Sequence, residues 1–416
     1  METKKIWLSL AQMSGYEMNF VQEAFDTNWV APLGPNVNEF EKSLTSYLFE
    51  DSEKNGHVVA LNTGTAALHL GLLQLGVGAG DEVICQSFTF AATANVITYL
   101  GATPVFVDSE MLTWNIDPEM VEKAINMRLE ETGKLPKAIV FVNLYGMPAQ
   151  IDKLQAISAK YNIPLLEDAA ESLGSKYKNE FCGSFGDFAA ISFNGNKIIT
   201  TSGGGALVCK DKMSAQKTLF YATQARENEV YYEHKEVGYN YRMSNISAGI
   251  GRGQLIALDS FVEARRRNHR LYSQLFRNIK GVVVQENPTE DYNSNFWLTC
   301  ILIDPAKFGK TSEEIRILLE NENIESRPLW KPMHLQPVFS HYPYVGGNVS
   351  ENLFKNGLCI PSGVGLTTAD IERIAKIILI DYPPYGFNEY GRIKDSVLRT
   401  KPEVKKEIAV RKNKLL

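Results

Sequence analysis

Cysteine is scarce and unpatterned: Cys85, Cys182, Cys209, Cys300 and Cys359 form an odd, scattered set without CxxC spacing. This excludes a disulfide framework and a thiolate zinc site, and five buried reduced thiols are expected. His57, His69, His234, His269, His334 and His341 include no pair at the spacing of a helical zinc motif, so no metal is expected. No stretch is apolar for long enough to cross a bilayer, which predicts a chain without a transmembrane segment. The start, Met1-Glu-Thr-Lys-Lys-Ile-Trp-Leu-Ser9, lacks the apolar core of a secretory signal, and a cytoplasmic location is expected. Positive charge is not in excess either. Lys and Arg number 43 against 48 Asp and Glu, a formal net charge of −5, so the body of the chain has no footprint for nucleic acid.

What is present is an ordinary globular composition, 44% hydrophobic and 22% charged. A chain of 416 residues buries a large core and predicts two or three structural units. Residues 14–26 carry apolar positions at helical spacing, and Pro32 to Pro35 mark a loop before a second amphipathic helix over 36–49. From His57 short β-rich runs alternate with helical ones: strands at 58–61, 82–85, 104–107, 138–142 and 163–167, helices from about 64, 89, 117 and 150. Such alternation predicts a largely parallel sheet wrapped by helices, with ligands outside the carboxyl ends of the strands.

Chemistry is therefore sought at strand ends. The first runs Leu61-Asn-Thr-Gly-Thr65 into a helix, and the free N–H groups and positive dipole end there suit a phosphate. An ordinary threonine N-cap is the other use open to it. After the second, Phe88 and Phe90 could offer a ring face to a planar ligand or simply pack in the core. The fifth leads into Glu167, Asp168 and Glu171, where a buried carboxylate needs a cation or several hydrogen bonds, and a plain N-cap is the alternative.

Another apolar run, Asp187-Phe-Ala-Ala-Ile-Ser-Phe193, precedes Lys197 and the glycines Gly203, Gly204 and Gly205. A lysine at a buried strand end is partly desolvated, which disfavours the ammonium and frees the amine as a nucleophile or Schiff-base partner. The glycines permit positive φ and close approach. A phosphate cradle, an aromatic face, a buried carboxylate and such a lysine on one sheet edge are the groups that pyridoxal phosphate requires.

At these residues the chain resembles the DegT-type family of pyridoxal-phosphate nucleotide-sugar aminotransferases over roughly residues 5–380. The motifs are Asn62-Thr-Gly-Thr-Ala-Ala-Leu-His69, Gln86-Ser-Phe-Thr-Phe-Ala-Ala-Thr-Ala-Asn95, Val142-Asn-Leu-Tyr-Gly146, Glu167-Asp-Ala-Ala-Glu-Ser172, Ser192-Phe-Asn-Gly-Asn-Lys197, Gly238-Tyr-Asn-Tyr-Arg-Met243 and Arg327-Pro-Leu-Trp-Lys-Pro-Met-His334. The lysine motif resembles the branch of surface-polysaccharide and bacillosamine-type pathways.

The resemblance implies an α/β protein of the aspartate-aminotransferase fold, fold type I. It would comprise an N-terminal arm (1–35), a large cofactor domain with a mostly parallel sheet (36–265), a smaller C-terminal α+β domain (266–380) and a basic tail (381–416). It implies pyridoxal 5'-phosphate held by Lys197, with a pyridoxamine phosphate form between half-reactions, and Lys197 as the residue that moves the proton. Asp168 would keep the pyridine nitrogen protonated. Gly64, Thr65 and Ala66 with the Ser192 hydroxyl would bind the phosphate, Phe90 would stack on the ring, and Glu171 would lie near the 3′-oxygen. Asn240 would reach the neighbouring subunit's cofactor, making a homodimer with shared active sites. His334, Arg327, Lys331 and Asn194 are the substrate-side candidates. The implied reaction moves an amino group from L-glutamate, yielding 2-oxoglutarate, to a keto carbon of a nucleotide-linked sugar, with a UDP-linked 4-keto sugar as first expectation.

A sugar dehydratase on the same scaffold is the rival enzyme, although such dehydratases typically carry histidine where Lys197 stands. A cofactor-binding regulator without turnover is the rival outside catalysis, and no fused DNA-binding unit supports it. The basic run Glu263-Ala-Arg-Arg-Arg-Asn-His-Arg270 reads as the exposed face of a connecting helix. The lysine- and arginine-rich tail reads as solvated.

Overall fold

The computed structural model describes residues 4–50 and 52–380, so the expected basic tail at 381–416 lies outside the described residues. The strands in chain order are β1 (His57–Leu61), β2 (Glu82–Gln86), β3 (Thr103–Val107), β4 (Ala138–Val142), β5 (Leu165–Asp168), β6 (Lys176–Tyr177), β7 (Glu180–Phe181), β8 (Phe188–Ser192) and β9 (Gly205–Cys209). They continue as β10 (Val282–Val284), β11 (Tyr292–Asn293), β12 (Thr299–Ile303), β13 (Arg327–Pro328), β14 (Tyr344–Val345) and β15 (Gly357–Ile360). The helices are α1 (Glu17–Asp26), α2 (Pro35–Phe49), α3 (Gly64–Gln74), α4 (Ala91–Tyr99), α5 (Pro118–Thr132), α6 (Ile151–Tyr161), α7 (Lys212–Ala222), α8 (Asn245–Ile256) and α9 (Leu258–Phe276). After them come α10 (Pro305–Phe308), α11 (Ser312–Asn321), α12 (Val349–Asn356) and α13 (Thr368–Ile378).

The large sheet runs β1-β9-β8-β5-β4-β2-β3-β14. Only β9 opposes its neighbours; β8, β5, β4, β2, β3 and β14 are mutually parallel, and β1 runs with them because both it and β8 are antiparallel to β9. β4 and β5 are buried at every position, and β1, β2 and β3 at all but the first, as strands covered by helices on both faces must be. The smaller unit is an antiparallel sheet, β10-β12-β15-β13, whose core joins Leu271, Tyr272 and Leu275 of α9 to Ile301, Ile315, Ile371 and Ile374.

After the small sheet begins, the chain returns to the large one, where β14 pairs with β3 and the Asp108 carboxylate accepts N–H bonds from Gly347, Val349 and Ser350. In the N-terminal arm, Ile6 is buried in the core of the small sheet and bridges Ile324. One expectation changes: the basic run is not one exposed face. Arg265, Asn268 and His269 are buried, because residues 258, 261, 265, 268, 272 and 275 share the inward stripe of α9. No described helix is long and apolar enough to cross a membrane.

Candidate active site

Register brings the expected strand ends together. Leu61 and Ser192 both pair with Gly205, and Asp168 lies opposite Ala190, so the ends of β1, β8 and β5 are side by side. A Cβ on Gly205 would sit 2.4 Å from the Gly64 nitrogen, and one on Gly64 would sit 2.9 Å from the Ser192 Cβ. Both glycines are therefore required for close approach. The positive φ expected of the glycine run falls instead on Ser202, at 73°.

The two uses open to Thr63-Gly64-Thr65 coexist. Thr63 caps α3, its Oγ1 accepting the Ala66 N–H at 2.9 Å. That bond engages the Ala66 N–H within the helix cap. The N–H groups of Gly64 and Thr65 stay without helical acceptors beside the Ser192 side chain, an arrangement suited to a phosphate.

Asp168 ends β5 and is 5% exposed. Its Oδ2 accepts the Thr93 hydroxyl at 2.8 Å and its Oδ1 the Ala170 N–H at 3.1 Å. Burial pushes its carboxyl above the ordinary carboxylate range; those bonds and the charge of Lys197 oppose the rise without cancelling it. Strand alternation turns Glu167 the other way, where Asn143 and the Gly183 and Phe185 N–H groups hold it, so Glu167 is structural. Glu171 returns to the site. Its Oε1 lies 3.2 Å from Lys197 Nζ and its Oε2 accepts the Tyr145 N–H at 2.7 Å. Burial raises the Glu171 carboxyl as well, with Lys197 opposing.

Lys197 sits in the turn after β8, its side chain 12% exposed and its Nζ 4.3 Å from the Trp297 ring centroid. Of the two phenylalanines, Phe88 is fully buried against Tyr145, whereas Phe90, the N-cap of α4, is 58% exposed and leans on Trp330 at 5.4 Å between centroids. Phe90 is thus the one able to offer a face. Tyr145, at φ 54°, donates its N–H to Glu171 and accepts the Trp330 N–H on its hydroxyl at 2.9 Å.

The substrate-side candidates separate. Asn194 is exposed beside the lysine turn, its carbonyl accepting the Lys197 N–H at 3.0 Å. His334 is held on both ring nitrogens, Nδ1 at 2.7 Å from the buried Ser87 Oγ and Nε2 at 3.3 Å from Glu351, and it stacks on Tyr344. It reads as the anchor of the 330–335 loop to the end of β2. Arg327 is exposed on β13, which pairs with β15 in the small sheet, and its guanidinium pairs with Glu325 at 2.8 Å. Lys331 is half-buried, with no acidic partner among the described residues. Asn240 is exposed, its carbonyl accepting Asn62 Nδ2 at 3.2 Å next to the cradle.

The DegT/DnrJ/EryC1/StrS aminotransferase family matches residues 12–379. The chain belongs to this family. It is 46% identical to EpsN of Bacillus subtilis over 90% of this chain and 95% of that one. It is 36% identical to the GDP-perosamine synthase of Caulobacter vibrioides over 89% and 96%. Among solved structures, the PLP-form of Spr1654 from Streptococcus pneumoniae superposes with a TM-score of 0.80 at 26% identity, covering 90% of this chain and 98% of that one; a PMP-form of it is also known.

This member of the DegT/DnrJ/EryC1/StrS family is accordingly an aminotransferase that depends on pyridoxal phosphate, with a type I fold. The residues present fit that cofactor: a cradle with two N–H groups at a helix start and a hydroxyl, a buried carboxylate with no ion pair among the described residues, an exposed ring face and a lysine on one edge. Thr93, Tyr145, Trp297 and Trp330 join the site without having been expected there. Thr93, Tyr145 and Trp330 lie inside the family motifs, and Trp297 has no local signal at all.

Proposed function

We propose that this enzyme transfers an amino group from L-glutamate to the keto carbon, C4, of a nucleotide-linked deoxy-keto-sugar for bacterial surface-glycan synthesis. The observation carrying the reading is Lys197 between Glu171 and Trp297 beside the cradle, with Asp168 buried behind it. Bound there, pyridoxal phosphate supplies the electron sink that lets a proton leave the carbon bearing the amine.

Lys197 would hold the cofactor and, once released, would take that proton on Nζ and give it back, one amine serving as base and acid. Asp168 would hold the ring-nitrogen proton, a role that would give its desolvated carboxyl a cationic partner. Gly64, Thr65 and Ser192 would hold the phosphate, and Phe90 would offer its face to the ring. Glu171 orients the Lys197 amine. Asn240 reaches the phosphate of a neighbouring subunit in a homodimer; the exposed apolar residues Val230, Tyr231, Tyr232 and Val237 on the preceding segment support such an interface.

Lys331, half-buried in the substrate loop and without an acidic partner among the described residues, meets the diphosphate. Lys331→Ala is expected to raise KM for the nucleotide sugar about 10-fold, the effect of one charge-assisted hydrogen bond, and to leave the glutamate half-reaction unchanged. Steady-state kinetics with the sugar, set beside single-turnover kinetics with glutamate, checks this.

The deciding experiment is an absorption spectrum of the loaded protein before and after L-glutamate. The cofactor band is expected to shift as 2-oxoglutarate accumulates in stoichiometric amount. A band that ignores glutamate overturns the donor, and no lysine-linked band at all overturns the role of Lys197.

A further inference from the structure

A buried arginine without a carboxylate partner is costly, and among the described residues α9 holds one. Arg265 is 1% exposed, burial lowers its guanidinium to about 10, and its Nε has no hydrogen-bond partner among the described residues. Its other nitrogens are spent on three segments. Nη1 donates to the Trp297 carbonyl at 2.6 Å and lies 3.4 Å from the Ser362 carbonyl; Nη2 donates to the Ser9 hydroxyl at 3.1 Å.

Two of the three residues that Arg265 holds converge on one atom. The Ser9 hydroxyl donates to the Asn196 carbonyl at 3.0 Å, and the Trp297 indole N–H donates to the same carbonyl at 2.7 Å. Asn196 immediately precedes Lys197, and the Trp297 ring lies under the Lys197 amine at 4.3 Å. The arm is itself tied down, since the Leu8 carbonyl accepts the Ser362 N–H at 2.8 Å.

We infer that Ser9 and Trp297, set by the fork of Arg265, form a clamp on the Asn196 carbonyl that fixes the direction of the Lys197 amine. The N-terminal segment is thereby part of the active site, and Ser9, Trp297 and Arg265 are positioning residues for the transfer. A planar fork fits the task because it holds two acceptors at a fixed separation, which a lysine does not. Two donors on one carbonyl also make the clamp redundant: losing either leaves the other in place.

The inference rests on Lys197 being the reacting amine, so the test reads the loop directly as well as the rate. Hydrogen exchange by mass spectrometry is measured on the full-length, cofactor-loaded protein for Ser9→Ala, Trp297→Phe and the double variant. Trp297→Phe keeps a ring in the core and removes the N–H. Each single variant is expected to speed exchange across 193–198 by about 2- to 10-fold and to slow the glutamate half-reaction comparably, the loss of one neutral hydrogen bond. The double variant is expected to exceed the product of the two. Arg265→Lys, which keeps the charge and loses the fork, is expected to fall between single and double.

Unchanged exchange at 193–198 in the double variant overturns the clamp, as does a rise spread evenly over α9 and β12, which is the signature of a merely structural role. Faster loop exchange with an unaltered half-reaction overturns the positioning role. Failure of the underlying reading shows differently, as an unmodified protein whose spectrum ignores glutamate.

Discussion

Lys197→Ala is expected to lower turnover about 10⁴-fold or more, since on the proposed reading it deletes both the covalent tether and the group that moves the proton. The protein is expected to stay folded, because the lost side chain gives up one ion pair, to Glu171, and one ring contact, to Trp297. It becomes less stable in a pH-dependent way. Glu171 then sits buried without its cation, which lifts a carboxyl that burial already raises. A raised carboxyl binds its proton more tightly when folded. The variant therefore matches the unmodified protein below the ordinary carboxylate range and falls behind as pH rises through the folded value of Glu171. Breaking a buried pair costs about 3 kcal/mol at the lower end, and protonation of Glu171 caps the loss near there. Thermal melts of both proteins from acid to neutral pH check the sign. Lys197→Arg sharpens the test: it restores a cation for Glu171 and hence the stability, but not the turnover.

Lys197, Asp168 and the cradle were legible because each is a local event, a polar group where an apolar run ends. The alternation of strands and helices then fixes that all such ends share one edge. Trp297 was not legible, because its link to Asn196 spans 101 positions. Thr93 reaches Asp168 across 75, and nothing in a short window connects a helix threonine to a strand end in another βα unit. Arg265 is the instructive miss. Four arginines in eight residues suggest a solvated face, yet counting turns from Leu258 puts Arg265 on the stripe of Phe261, Asn268 and Tyr272. Composition outweighed period, and the period was right. β14 failed for a different reason: two residues carry no strand signature, and tertiary contact with β3 alone makes Tyr344–Val345 a strand.

Asp168→Asn separates the carboxylate's chemistry from its packing. The amide is nearly isosteric; the Ala170 N–H keeps an oxygen acceptor, and the Thr93 hydroxyl can turn to accept the amide while donating to Thr89, 2.9 Å away. What disappears is the charge proposed to hold a proton on the ring nitrogen. Turnover is expected to fall about 10²- to 10³-fold, the range for removing one preorganised electrostatic group, with cofactor still captured by Lys197 and the cradle. Stability of the cofactor-free protein moves the opposite way. Burial raises the folded Asp168 carboxyl, so the unmodified protein forfeits stability as pH climbs above the ordinary aspartate range and through that folded value. A neutral amide forfeits none. The cofactor-free variant is therefore expected to melt higher than its parent at neutral pH and level with it in acid, whereas loading with cofactor narrows the neutral-pH gap by giving Asp168 a cationic partner. A variant that is slow yet more stable when empty locates the cost of Asp168 in desolvation and its benefit in the bound ring; one that is slow and less stable at every pH would make Asp168 a packing residue instead.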